Sequence, residues 1–126
     1  MHAADTNIVV RVLARDERRQ VRQAEAFVSG GAWISHLVLA EAIRVLASTY
    51  RLPCGDLADT IEKLLNHQDF VLEDPPTVAA ALTQFRSRPA LGFSDCLILE
   101  IARKAGHLPL GTFDRELGKI DGARRL

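Results

Sequence analysis

Ala32-Trp33-Ile34-Ser35-His36-Leu37-Val38-Leu39-Ala40-Glu41 changes character in its middle. Ala32–Ser35 is a compact apolar run of strand length. From Leu37 to Tyr50 the chain is rich in Leu, Val and Ala, too long for a strand, and it is halted by Pro53, so it reads as a well-buried helix. A short apolar strand feeding a longer helix is the repeating unit of an α/β fold.

The same alternation continues outward on both sides. Towards the amino end, Met1–Ala4 reads as a short strand, and Asp5-Thr6-Asn7 as a cap before the helical run Ile8–Leu13. Asp16 is the expected cap of a second helix to about Val28, stopped by Gly30-Gly31. Towards the carboxyl end, Leu57, Ile61, Leu64 and Leu65 recur at helical spacing within Asp56–His67. Phe70-Val71-Leu72 is a strand, and Pro75-Pro76 opens a helix to about Phe85. After a loop at 86–92, Ser94 is the expected cap of an apolar helix from Asp95 to Ala105, ended by Gly106. Leu108-Pro109-Leu110-Gly111 is a weak strand because its proline cannot donate to a ladder. Arg115–Lys119 fits one helical turn and Ala123–Leu126 an edge strand. We expect an α/β fold with a small, mainly parallel sheet, and a single domain over residues 1–126 with no repeat, linker or low-complexity segment.

Charge narrows the function classes. The chain of 126 residues has 16 basic and 16 acidic side chains, with 48% hydrophobic residues. Such a composition excludes a disordered tail. Neutrality excludes a bulk electrostatic grip on nucleic acid or anionic membrane, so a polyanion would have to be held by local patches or a metal. The balance is uneven: +2 over residues 1–52 (seven basic, five acidic), −5 over 53–85 (one basic, six acidic) and +3 over 86–126 (eight basic, five acidic). Cys54 and Cys96 form no CxxC pair, the amino end lacks a signal design, and no apolar run approaches a membrane span. A cytoplasmic protein is expected.

In a parallel α/β sheet, ligands gather beyond the carboxyl ends of the strands. Asp5 follows the first strand, Asp114 follows Leu108–Gly111, and Asp95 opens a helix. Glu41 lies less than two turns past the Ala32–Ser35 strand and is the sole acid in a mostly apolar run. This order permits all four to meet in one pocket. Carboxylates within about 4–6 Å repel unless a cation intervenes. Mg²⁺ and Mn²⁺ take such oxygen ligands together with waters and phosphates, and can activate water for phosphodiester cleavage. Each acid also has a plain structural reading: Asp5, Asp95 and Asp114 as helix caps, Glu41 as a partner of Arg44.

The run Asp5-Thr6-Asn7-Ile8-Val9-Val10-Arg11-Val12-Leu13 resembles the opening of a PIN domain of the VapC toxin type. Ile34–Glu41 resembles the second motif of that family, Phe93-Ser94-Asp95-Cys96-Leu97-Ile98 the third, and Gly111-Thr112-Phe113-Asp114-Arg115-Glu116-Leu117 the fourth. The resemblance spans essentially the whole chain. It implies a three-layer α/β/α fold and a Mg²⁺- or Mn²⁺-dependent endoribonuclease whose four acids are Asp5, Glu41, Asp95 and Asp114. It also implies a homodimer held by a cognate antitoxin, with RNA as substrate. Gly92 stands where many relatives carry an acid, and Glu116 where they often carry Asp.

Thr112 and Asn7 are candidates for hydrogen bonds that aim the carboxylates, and Glu116 is a further candidate; all three also fit as turn and cap residues. Arg11, Arg15, Arg18 and Arg22 would share one face of a continuous helix and could meet RNA or antitoxin, but a break near Asp16 would destroy that alignment. A solvated Arg face is the plainer reading. The histidines show no metal spacing, while Cys96, Trp33 and Phe93 read as core. Two alternatives stand beside the nuclease: a catalytically weak PIN-like module acting through a protein partner, and a receiver-type phosphorylation domain. The second lacks the clustered amino-terminal acids it would need, since Asp5 stands alone in the first 15 residues.

Overall fold

A computed structural model describes all residues, 1–126. The chain is α/β and forms two compact units, Met1–Pro75 and Pro76–Leu126. In the first, strands β1 (His2–Ala3), β2 (Ala32–Ile34) and β3 (Phe70–Leu72) form a parallel sheet in the order β1-β2-β3. The register pairs Ala3 with Trp33 and Ile34 with Leu72. Helices α1 (Thr6–Ala14) and α2 (Arg18–Val28) connect β1 to β2, and α3 (His36–Ser48) and α4 (Cys54–Leu65) connect β2 to β3. Such two-helix crossovers return the chain to the same sheet edge, so every strand points the same way.

β2 is a residue shorter than its apolar run. Ser35 leaves the ladder because its hydroxyl accepts from the Val38 N–H and caps α3. Alternate residues of β2 divide between faces: Ala32 and Ile34 are buried, whereas Trp33 is 39% exposed. Trp33 is therefore not core, because the strand's period of two turns it away from the buried face. Val9, Leu39, Leu46, Ile61 and Leu64 fill the interior of this unit at helical spacing.

The second unit holds α5 (Pro75–Ser87), which begins at the last residue of the first unit, then α6 (Phe93–Ala105) and a parallel pair β4 (Leu110–Thr112) and β5 (Ala123–Arg125). A 3₁₀ turn at Leu117–Lys119 joins the two strands. Val78, Phe85, Phe93, Cys96 and Leu99 are buried, with the rings of Phe85 and Phe93 edge to face at 5.9 Å. Phe93 and Cys96 are core as expected.

Several boundaries also differ from expectation. Glu17, not Asp16, caps α2: its carboxylate accepts from the N–H groups of Arg19 and Gln20, while Asp16 accepts from the Tyr50 hydroxyl. α4 starts at Cys54, directly after Pro53. α6 starts at Phe93 with Gly92 at the cap, so Ser94 lies inside the first turn. β4 starts after Pro109, the residue without an N–H.

Candidate active site: a carboxylate pair in each unit

Asp5 follows β1 by two residues and caps α1, its Oδ1 accepting from the Ile8 N–H at 3.2 Å. One oxygen is thereby engaged in holding the helix. Packing of α1 on α3 brings the next residue to Glu41: the Thr6 hydroxyl donates to Glu41 Oε2 at 2.8 Å. This bond orients Glu41 against a rigid helix start. Asp5 and Glu41 are both exposed. The sequence reading passed over Thr6, although its position beside Asp5 in Asp5-Thr6-Asn7 was a signal. Asn7 instead lines a cleft of about 470 Å³ with Ile8, Arg11, Gln20, Gln23, Ala24 and Phe27.

Glu73 was also missed. It follows β3 at the same carboxyl edge of the sheet, its N–H donates to Ile34 O at 2.9 Å, and its Oε1 accepts from the His36 N–H at 2.8 Å. The carboxylate thus finishes the start of α3, the element that carries Glu41. An acid directly after a strand is the pattern that would have found it.

In the second unit, Asp95 sits in the first turn of α6 and is partly buried. Burial pushes its carboxyl above the ordinary carboxylate range; the negative charge of Asp114 pushes the same way, and a bond from the Gly92 N–H opposes both. Asp114 lies two residues beyond β4. Its N–H donates to Thr112 Oγ1 at 3.0 Å, and its Oδ1 accepts from the Leu117 N–H at 2.9 Å. Thr112 thus fixes the backbone from which Asp114 projects. Glu116 accepts from Lys119 Nζ at 3.1 Å. A Cβ at Gly92 would lie 3.8 Å from Asp95 Oδ2. A carboxylate at this position would enlarge the acidic pair, and the glycine leaves it a pair.

The arginine row does not form one face. Arg15 adopts a left-handed conformation (φ 55°) that ends α1, and α2 begins at Arg18. Arg11 is half-buried and donates to Gln20 and to the Tyr50 hydroxyl, and Arg15 pairs with Glu25. The alignment fails because the turn at 15–17 resets the helical phase.

The family model of the PIN domain matches residues 3–123. The chain belongs to the PIN-domain family. Its members are generally nucleases that act on nucleic acid and typically use divalent metal ions. The match runs through both units and includes Asp5, Glu41, Asp95 and Asp114. Searches of curated proteins and of solved structures gave no significant match. No helix is long and apolar enough to cross a membrane.

As to metal, neither unit alone groups three or more His, Cys, Asp or Glu side chains that could hold an ion. The donor set nevertheless suits a hard cation. Both pairs offer only carboxylate oxygens, and the Asp95–Asp114 pair carries a repulsion that a cation would relieve.

Proposed function

We propose that this PIN-domain chain is a metal-dependent endoribonuclease toxin, cleaving RNA phosphodiester bonds and restrained by a cognate antitoxin. In this reading Asp5, Glu41, Asp95 and Asp114 are the carboxylates that serve Mg²⁺ or Mn²⁺. The observation that carries it is the membership in a nuclease family together with the mutual repulsion of Asp95 and Asp114. A repelling, part-buried pair of carboxylates weakens the fold by itself, and a bound cation would offset that cost.

A bound divalent ion supplies positive charge for the scissile phosphate and lowers the pKa of water. The residues of the chain do the rest. Asp95, held by the Gly92 N–H, and Asp114, held by the Thr112 turn, present oxygens from two fixed backbones. Asp5 has one oxygen left beyond its cap bond. Glu41 has one oxygen bound by Thr6 and the other available to accept from the attacking water. Hydrolysis breaks the P–O bond to the departing nucleoside, whose oxygen leaves with a proton drawn from solvent. Once four acids are assigned as ligands, the remaining charges sum to +4, with the surplus in the segments 1–52 and 86–126. A homodimer and a bound antitoxin complete the reading by family analogy.

The test is cleavage of total cellular RNA by the isolated protein with Mg²⁺ or Mn²⁺, with cut sites mapped and Asp5→Asn as control. Cutting by the parent alone supports the reading. A folded Asp5→Asn variant that cuts equally well removes it. No cutting with either ion, alongside tight binding of a protein encoded directly upstream, replaces it with a partner-binding module.

A further inference from the structure

Glu100 is a buried carboxylate that the proposed chemistry does not use. It is 6% exposed; Oε1 accepts from Arg103 Nε at 3.1 Å, and Oε2 has no partner. The same guanidinium reaches off α6: Arg103 Nη2 donates to the Asp121 carbonyl at 2.6 Å. The next residue, Gly122, has φ +96°, and a Cβ there would lie 3.0 Å from Nη2 and 3.1 Å from Nη1. The backbone is therefore shaped to let the guanidinium lie against it.

What Arg103 holds is the start of the β4–β5 pair. Gly122 O accepts from the Leu110 N–H at 2.8 Å, and at the far end the Leu126 N–H donates to Thr112 O at 2.9 Å. Thr112 then fixes Asp114 through its backbone N–H. Asp95 lies at the other end of α6, eight residues from Arg103, about 12 Å along a helix rising 1.5 Å per residue. One side chain thus ties the rod that carries Asp95 to the strand pair that presents Asp114.

We propose that Arg103 is a positioning residue: anchored on buried Glu100, it sets β4 against α6 and thereby the separation of Asp114 from Asp95. This rests on the reading of Asp95 and Asp114 as metal ligands. Lysine cannot replace it, because a single ammonium lacks the planar fork that bonds Glu100 with one nitrogen and the Asp121 carbonyl with another.

Arg103→Ala alone leaves Glu100 as an uncompensated buried charge and risks unfolding. The decisive variant is Glu100→Leu/Arg103→Leu, which removes the charge and the strut together while keeping the helix. Two measurements on the full chain are compared with the parent: calorimetric titration of the metal-free protein with MnCl₂, and hydrogen exchange at the Leu110 amide relative to that of Leu99. The proposal expects faster Leu110 exchange and Mn²⁺ affinity weaker by about 10-fold, the lower end of what loss of a supporting partner costs. A double variant with parental exchange and parental affinity overturns it, as does faster exchange with parental affinity when Asp95→Asn abolishes Mn²⁺ binding. If Asp95→Asn binds Mn²⁺ like the parent, the metal-site reading fails by itself, and Leu110 exchange alone decides whether Arg103 sets the strand.

Discussion

The two units hold their acidic pairs in opposite ways. Asp5 and Glu41 are exposed, and each is tied into the first unit by a neutral donor, the Ile8 N–H and the Thr6 hydroxyl. Asp95 is partly buried, and burial together with the charge of Asp114 holds it above the ordinary carboxylate range. The first pair is compatible with a stable fold as it stands. The second carries an electrostatic cost that only a cation or a proton removes. Nuclease function, on the proposed reading, sits unevenly on the chain: one half supplies prepared oxygens, the other the demand for charge.

The largest effect should come from deleting ligands and should separate the pairs by stability. Asp5→Asn and Asp95→Asn are each expected to lower RNA cleavage by more than about 100-fold, beyond the cost of losing a supporting partner. Thermal melts without metal should differ: Asp95→Asn raises Tm by removing a part-buried charge and its repulsion by Asp114, whereas Asp5→Asn leaves Tm nearly unchanged because Asn also caps helices well. Equal Tm shifts for the two would erase the contrast.

Next comes Thr6→Val, which keeps the shape of the side chain and removes the donor to Glu41. Cleavage should fall about 10-fold at unchanged KM, in the range for outer hydrogen-bond partners, and Thr6→Ser should restore it. A Thr6→Val enzyme with parental kcat would show that Glu41 needs no orienting.

A smaller effect is expected in the pH dependence of stability. Because the folded state raises the Asp95 pKa, its contribution is fully present below the ordinary carboxylate value of about 4 and is lost as pH rises through the raised value. The metal-free protein should therefore show a falling Tm component in the mildly acidic range above that value. The component should disappear in Asp95→Asn but only shrink in Asp114→Asn, since burial is the larger cause. Melting curves at several pH values decide it.

The smallest effect concerns the thiols. Burial, assisted by the charges of Asp95 and Glu100, pushes Cys96 up to about 11, whereas Cys54 is exposed. One thiol should react with a thiol reagent in the native protein at neutral pH, and a second only after unfolding. Rapid native labelling of Cys96 would mean that α6 opens readily beside Asp95.

Much of this was legible before folding. Local rules sufficed for Asp5 as a cap, for the stop at Gly106, and for the strand at Phe70–Leu72, because each depends on neighbours within a few residues. The arginine row failed for a physical reason. Helical phase propagates only through unbroken helix, and the left-handed Arg15 resets it. Trp33 was misplaced because a three-residue strand is too short to show which face is buried.

By itself, the sequence determined the alternation of strands and helices and the family, and it singled out the four acids of the proposed site, since these reside in residue order and spacing. Tertiary structure alone decided that Thr6 meets Glu41 and that Asp114 acts on Asp95. It also decided that Arg103 joins buried Glu100 to the turn before β5. The bonds from Thr6 to Glu41 and from Arg103 to the Asp121 carbonyl span 35 and 18 residues of chain and depend on how helices pack on helices and strands. Periodicity fixes the face of an element but not which residue of a neighbouring element that face will meet.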